Sequence, residues 1–293
     1  MARLCPACGS IGEKKYSENI DPKKISAKTF SSRKTPELMH HCLFECQSCR
    51  SLYSENLPQE EELLKGYEDA LFDSKTEANF AALTYVNYLN NFESLENQRV
   101  LDIGCGDGAF LEKVLSFGAK TVQGIEPSYL AAKSEQQLEV PIKIQPIENC
   151  QFVEEFDLVT CFQTLEHVRD PSKVLAIMFS AIVDGGYLAI ISHDRFSIVN
   201  RILGRKSPIF DIEHLQIFSK KGLENLMRRN RVKIVLSCRI INRYPISYWL
   251  RSLPLPVSIL RIVEKNKEKF VLNIPVSLGV GNHLVIGQKL ASD

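Results

Sequence analysis

Two hydrophobic periods organise the chain. From residue 99 onward, short apolar runs bounded by Gly, Pro, Asp or Asn alternate with stretches whose apolar residues fall three and four apart. Val100 to Ile103 reads as a short buried strand, and Phe110, Leu111, Val114 and Leu115 read as one face of the helix after it. Further strands are predicted over 121–126, over 142–148 with its exit loop, and over 156–162, 184–192, 232–238 and 283–289. Strands alternating with helices predict an α/β fold.

Upstream, helical spacing covers 60–67 and 76–92, with Phe80, Leu83, Val86 and Leu89 on one face of the second stretch. This region, with Tyr67 and Phe72 as its notable aromatics, serves either as a lid over the sheet edge or as ordinary packing. Residues 218–227 read as a helix with Ser219 as N-cap. Between the last two strands lies an insertion over about 244–280, containing Tyr248-Trp249-Leu250, Leu260, Ile262 and Val263 with Arg and Lys interspersed. Such a segment can wall a substrate pocket, lie at a membrane surface, or pack against the core or a second copy.

Composition narrows the class. The chain has 293 residues, 44% of them hydrophobic, enough for one large domain and a small one. Lys+Arg number 36 against 35 Asp+Glu, and no basic stripe argues for nucleic acid. Residues 228–231 form a basic cluster that reads as a solvated helix end. Residues 1–20 lack the apolar core of a signal, and no apolar run approaches the roughly 20 residues needed to cross a bilayer. The expectation is a cytoplasmic protein, whose nine cysteines serve metal or burial rather than disulfides.

Cys5-Pro-Ala-Cys8 and Cys46-Gln-Ser-Cys49 are two C-x-x-C pairs, each able to aim two thiolates at one point. Gly9 permits the turn after the first pair. Four such ligands suit zinc in a closed structural site, and iron can occupy the same donor set. The 37 residues between the pairs are more than a usual finger carries, and His40, His41 or Cys42 could replace one ligand. About 50 polar residues would hardly fold without such a staple.

Gly104, Gly106 and Gly108 follow the strand 100–103 and precede a helix, which makes a nucleotide-type cradle. The spacing Gly104-x-Gly106-x-x-Ala109 also fits a dinucleotide fingerprint, so NAD(P) and an oxidoreductase stand as an alternative. Asp102 argues against it. A carboxylate two residues before the first glycine would oppose a pyrophosphate but suits a cationic amino group. Glu126 ends the second strand, where an acid can accept two ribose hydroxyls.

The string 99–111, with its D-x-G-x-G-x-G core, resembles motif I of class I methyltransferases dependent on S-adenosylmethionine (SAM). Phe156-Asp-Leu-Val, Leu165-Glu-His-Val-Arg-Asp-Pro171 and Gly185-Gly-Tyr-Leu-Ala-Ile190 resemble the later motifs of that family, in order. The two cysteine pairs, then Glu61-Glu-Leu-Leu-Lys-Gly-Tyr67, then motif I resemble a zinc-knuckled group acting on sugars or small biosynthetic intermediates. The resemblance covers most of 1–235. It implies a Rossmann-like seven-stranded sheet with helices on both faces and an antiparallel last strand. It divides the chain into a knuckle over 1–58 and a methyltransferase domain over 59–293. It implies SAM contacts from Asp102, Gly104, Gly106, Glu126, Pro127, Ile147, Glu148, Phe162 and Gln163.

For the acceptor, the resemblance points to a small molecule, such as a sugar or a polysaccharide or lipid precursor. Glu213-His214 faces the substrate in similar sugar methyltransferases, with His214 as base and Asp211 secondary; a purely structural histidine is the alternative. In a quinone-precursor group, the segment matching 163–167 holds a divalent metal. Here Gln163 replaces the first acid, which leaves Glu166 and His167 to shape the cofactor pocket or cap the next helix. A non-catalytic binding module remains the third reading.

Overall fold

The computed structural model describes residues 3–25, 29–30, 38–59, 61, 65–66, 75–128, 140–253, 255–267 and 269–290. The helix expected over 60–67 falls largely outside the described residues, as do Tyr67 and Phe72.

Strands β4 (Arg99–Ile103), β5 (Thr121–Ile125), β6 (Ile142–Lys143), β7 (Phe156–Phe162), β8 (Ile182–His193), β10 (Lys233–Pro245) and β11 (Pro275–Gln288) form one seven-stranded sheet. Its order is β10-β11-β8-β7-β4-β5-β6, parallel from β8 to β6, with β11 antiparallel to both neighbours. This is the Rossmann-like methyltransferase sheet that the motifs imply. Successive side chains go to opposite faces. Leu101, Ile103, Val159, Cys161, Leu188 and Ile190 pack into one core, while Val100, Leu158, Ala189 and Ile191 pack into the other. Both faces are covered, which is why these strands read as continuous apolar runs.

Helices α1 (Lys75–Phe92) and α2 (Ala109–Ser116) cover the second core. Helices α3 (Pro171–Ala181) and α5 (Lys220–Arg229) cover the first. Ser219 caps α5 through Gly222 N–H. The cap of α3 is Asp170, which accepts from Ser172 and Lys173. Neither Glu166 nor His167 takes that place, because Asp170 stands one residue before the Pro171 that opens the helix.

The N-terminal residues form a second sheet, β1 (Gly12–Tyr16), β2 (Leu43–Cys46), β3 (Leu52–Ser54) and β9 (Gln216–Ile217). The fourth strand comes from beyond β8, so the knuckle closes its sheet with residues from the 211–217 loop. Arg3 adds a clamp, donating to Ser54 O at 2.7 Å, Arg169 O at 2.9 Å and Gln216 Oε1 at 3.0 Å.

The expected insertion is shorter than 244–280. Strand β10 runs on to Pro245 and β11 begins at Pro275, leaving α6 (Ile246–Arg251), α7 (Val257–Lys265) and a 3-10 turn at Phe270–Asn273 as a cap on the hairpin. Helix α4 (Ile198–Leu203) follows β8.

Candidate active site

The glycine turn lies at the carboxyl end of β4, where open α/β sheets bind ligands. Gly104, Gly106 and Gly108 all have positive φ, at 73°, 56° and 75°. A Cβ at Gly104 would collide with Thr164 Oγ1. The loop after β7 therefore sits directly on the turn, and only glycine fits between them.

Asp102 is buried at the end of β4 and accepts from Thr160 Oγ1 at 2.6 Å. Burial pushes its carboxyl up to about 7, against the pull of that hydrogen bond. Glu126 accepts from Gly106 N–H at 3.0 Å and from Ser128 N–H at 3.1 Å. Burial raises its carboxyl too. Two buried acids thus bracket the glycine turn. A ligand carrying an ammonium group at one end and ribose hydroxyls at the other would donate to these two carboxyl groups.

Ile147 is buried in the turn after β6, with Glu148 half-buried beside it. Gln163, at φ 53°, donates to Tyr85 hydroxyl at 3.3 Å. Phe162 stands edge-on to Tyr85 and to Phe110, both at 4.9 Å between ring centroids. Pro127 joins Glu126 to Ser128, so it lies at the same edge.

Three histidines meet at this edge. The rings of His167 and His214 lie 4.8 Å apart and those of His193 and His214 5.3 Å apart. Glu213 Oε2 lies 3.7 Å from His167 Nδ1. His214 is buried, and its Nδ1 bonds Ile209 carbonyl at 2.8 Å. A carbonyl only accepts, so Nδ1 carries a proton, and in the neutral ring the lone pair is on Nε2. Asp211 accepts from Glu213 N–H at 3.2 Å and shapes the turn. Glu166 is buried and accepts from Ser192 Oγ at 2.6 Å and His193 N–H at 2.8 Å. Through Oε1 it tethers β8 to the 163–167 loop.

His193 is the site residue that sequence reasoning missed. It ends β8, and its Nδ1 faces Asn282 Oδ1 at 3.0 Å. Burial lowers its pKa. The available signal was position, since it closes an apolar parallel strand at the ligand-binding end.

The four cysteine sulfurs all lie within 4.8 Å of one another. Cys5 and Cys49 are 3.6 Å apart and Cys8 and Cys46 3.3 Å. Tetrahedral zinc with bonds of about 2.3 Å needs sulfurs roughly 3.8 Å apart, so the donor set fits a four-thiolate metal. A residue in the left-handed region follows each pair, Gly9 at φ 75° and Arg50 at φ 64°. His40 instead faces Tyr16 and Phe210, and the quartet is complete without it, His41 or Cys42.

A family model described as a methyltransferase domain matches residues 67–235, more than half of the chain. The match begins beyond the four cysteines. A ubiquinone biosynthesis O-methyltransferase of Pseudomonas fluorescens strain SBW25 is 35% identical over 124 residues, 40% of this chain and 50% of that protein. A protein of the same name from Pseudomonas putida strain W619 is 34% identical over the same length, with the same coverage. This chain spans about half the length of these relatives. An S-adenosylmethionine dependent methyltransferase from Mesorhizobium loti superimposes with a TM-score of 0.50 at 15% identity, covering 72% of this chain and 100% of that one. At that identity the likeness is one of fold.

Proposed function

Because the chain belongs to the methyltransferase-domain family, we propose that it transfers a methyl group from SAM to a small-molecule acceptor. The observation that carries this reading is the cradle itself: three positive-φ glycines between two buried acids at the carboxyl ends of β4 and β5. SAM supplies an electrophilic methyl on a sulfonium. Asp102 holds its amino group, and Gly104 and Gly106 let the backbone approach. Glu126 takes the ribose hydroxyls. Ile147 and Glu148 flank the adenine, and Pro127, Phe162 and Gln163 complete the wall.

His214 is the base. With Nδ1 held by Ile209 carbonyl, its Nε2 accepts the proton of an acceptor hydroxyl as that oxygen takes the methyl carbon. Glu213 and His167 line the same space. A hydroxyl acceptor is favoured by the O-methyltransferases among the relatives, and a sugar or a polysaccharide or lipid precursor fits that chemistry. The four cysteines hold zinc as a structural ion, and residues 1–58 act as a knuckle bound to a domain over 59–293.

The test is calorimetric titration with S-adenosylhomocysteine, with NAD in parallel. Micromolar binding of the former, lost in Asp102→Ala and Glu126→Ala, supports the reading. Binding of NAD alone overturns it in favour of an oxidoreductase. Binding of S-adenosylhomocysteine without turnover of any hydroxylated acceptor favours a binding module.

A further inference from the structure

Strands β10 and β11 run past the end of β8. The last pair between β11 and β8 is Asn282 with His193, yet β11 continues back to Pro275, paired only with β10. Residues 275–281 therefore carry the α6–α7 cap beyond the sheet, from the edge that holds the histidine cluster.

The cap's exterior carries several apolar side chains among charged ones. Val263 of α7 is buried, while Val257, Ile259 and Ile262 point outward. Phe270 is 83% exposed and Val271 65%. Such exposure is costly for a surface meeting only water. Among the described residues no helix is long and apolar enough to cross a membrane.

The charges beside it name the occupant. Glu264 is occupied by Arg251 at 3.8 Å and Lys267 at 2.8 Å. Arg261, Lys265 and Lys269 have no acidic partner among the described residues. Helix α4 repeats the pattern at the same edge. Ile198 and Ile202 are exposed on it, with Arg201 and Lys206 alongside. Its base is fixed there, because Asn200 Nδ2 donates to Asp194 O at 2.7 Å and Asp194 N–H to Gly281 O at 2.6 Å. Outward apolar residues flanked by unpaired cations are the pattern of an interfacial helix on anionic lipid.

We propose that the α6–α7 cap docks the protein on an anionic membrane surface, with Ile262 and Phe270 entering the headgroup boundary and Arg261, Lys265 and Lys269 facing lipid phosphates. The proposal stands independently of methyl transfer. It turns the histidine edge toward the bilayer, where an amphiphilic acceptor would be met.

The test is co-sedimentation of the full chain with phosphatidylcholine vesicles, with and without phosphatidylglycerol. The expected result is binding to the anionic vesicles, about a hundredfold weaker on neutral ones and weakened by salt. Ile262→Glu with Phe270→Glu, and separately Arg261→Glu with Lys265→Glu and Lys269→Glu, should each abolish it while keeping the melting temperature. In Phe270→Trp, the added indole emission should shift to the blue on anionic vesicles. Absent binding, equal binding by the variants, or an unshifted emission in Phe270→Trp would overturn the proposal. So would a dimer in sedimentation equilibrium that Ile262→Glu dissolves, since the occupant would then be a second copy.

Discussion

Ser219 donates its hydroxyl to the carbonyl oxygen of Cys49 at 2.5 Å. The same hydroxyl oxygen accepts from Gly222 N–H at 2.9 Å, capping α5. One side chain thus joins a metal-type knuckle to a helix of the large domain. Two residues upstream, Ile217 pairs with Leu52 of β3, and Leu215 carbonyl accepts from Ser54 N–H at 2.8 Å. Leu215 follows His214 directly, so the segment that carries this histidine of the cluster also bonds to the cysteine knuckle.

Ser219→Ala should expose the weight of that joint. It removes an N-cap and leaves the buried Cys49 carbonyl without a donor. Together these cost about 2 kcal/mol. The urea midpoint should fall accordingly with an unchanged slope. A midpoint equal to the parent's would mean that the knuckle and α5 are not coupled through this residue.

Metal removal should reach the same loop from the other side. Zinc in four-thiolate sites supplies folding energy directly. Cys49→Ser, or chelation of the parent, should lower the melting temperature by about 10 °C or more and increase proteolysis between residues 205 and 217. Metal content by mass spectrometry tests the ion's identity. A parent purified without metal yet fully stable would remove zinc from the account.

Asp102 gives a pH dependence with a definite sign. Its native carboxyl sits at about 7, raised from the usual 3.8 by burial. The unliganded fold therefore holds a proton that the unfolded chain releases, and stability falls as pH rises from about 4 through 7. A cationic amino group favours the ionised form, so S-adenosylhomocysteine should bind more tightly as pH rises toward 7. At pH 6, binding should release a proton, seen as an enthalpy that varies between phosphate and imidazole buffers. Asp102→Asn should abolish that variation and weaken binding about 10- to 100-fold. Buffer-independent enthalpy in the parent would show that Asp102 does not meet the ammonium.

Legibility in the sequence followed locality. The strand, glycine turn and helix at 99–116 are contiguous, so period and spacing were enough. The ends of β10 and β11 were read as insertion, because Asn242, Pro245, Pro275, Gly279 and Gly281 interrupt them. They stand as strands because they pair with each other in a hairpin overhang, where such residues are tolerated. His193 and Asn282 are 89 positions apart, and only the pairing of β8 with β11 brings them together. Strand β9 is two residues long and owes its existence to the knuckle, so no periodicity within 211–218 announces it.

His214→Asn separates the base from the structural histidine. The Asn amide can still donate to Ile209 carbonyl from near the Nδ1 position, so the loop and its contact with β3 should persist. What is lost is the lone pair at Nε2. Stability and S-adenosylhomocysteine affinity should stay at parent values, while kcat for a hydroxylated acceptor, followed by S-adenosylhomocysteine release, falls about 10²- to 10⁴-fold. Glu213→Gln should give a smaller loss, because Glu213 faces His167 rather than the bond that sets the His214 tautomer. If His214→Asn turns over within a few-fold of the parent and His167→Asn does not, the proton goes to His167, and the Glu213–His167 contact becomes the working pair. If both retain activity, proton removal is left to solvent, and the three histidines serve only to pack this edge.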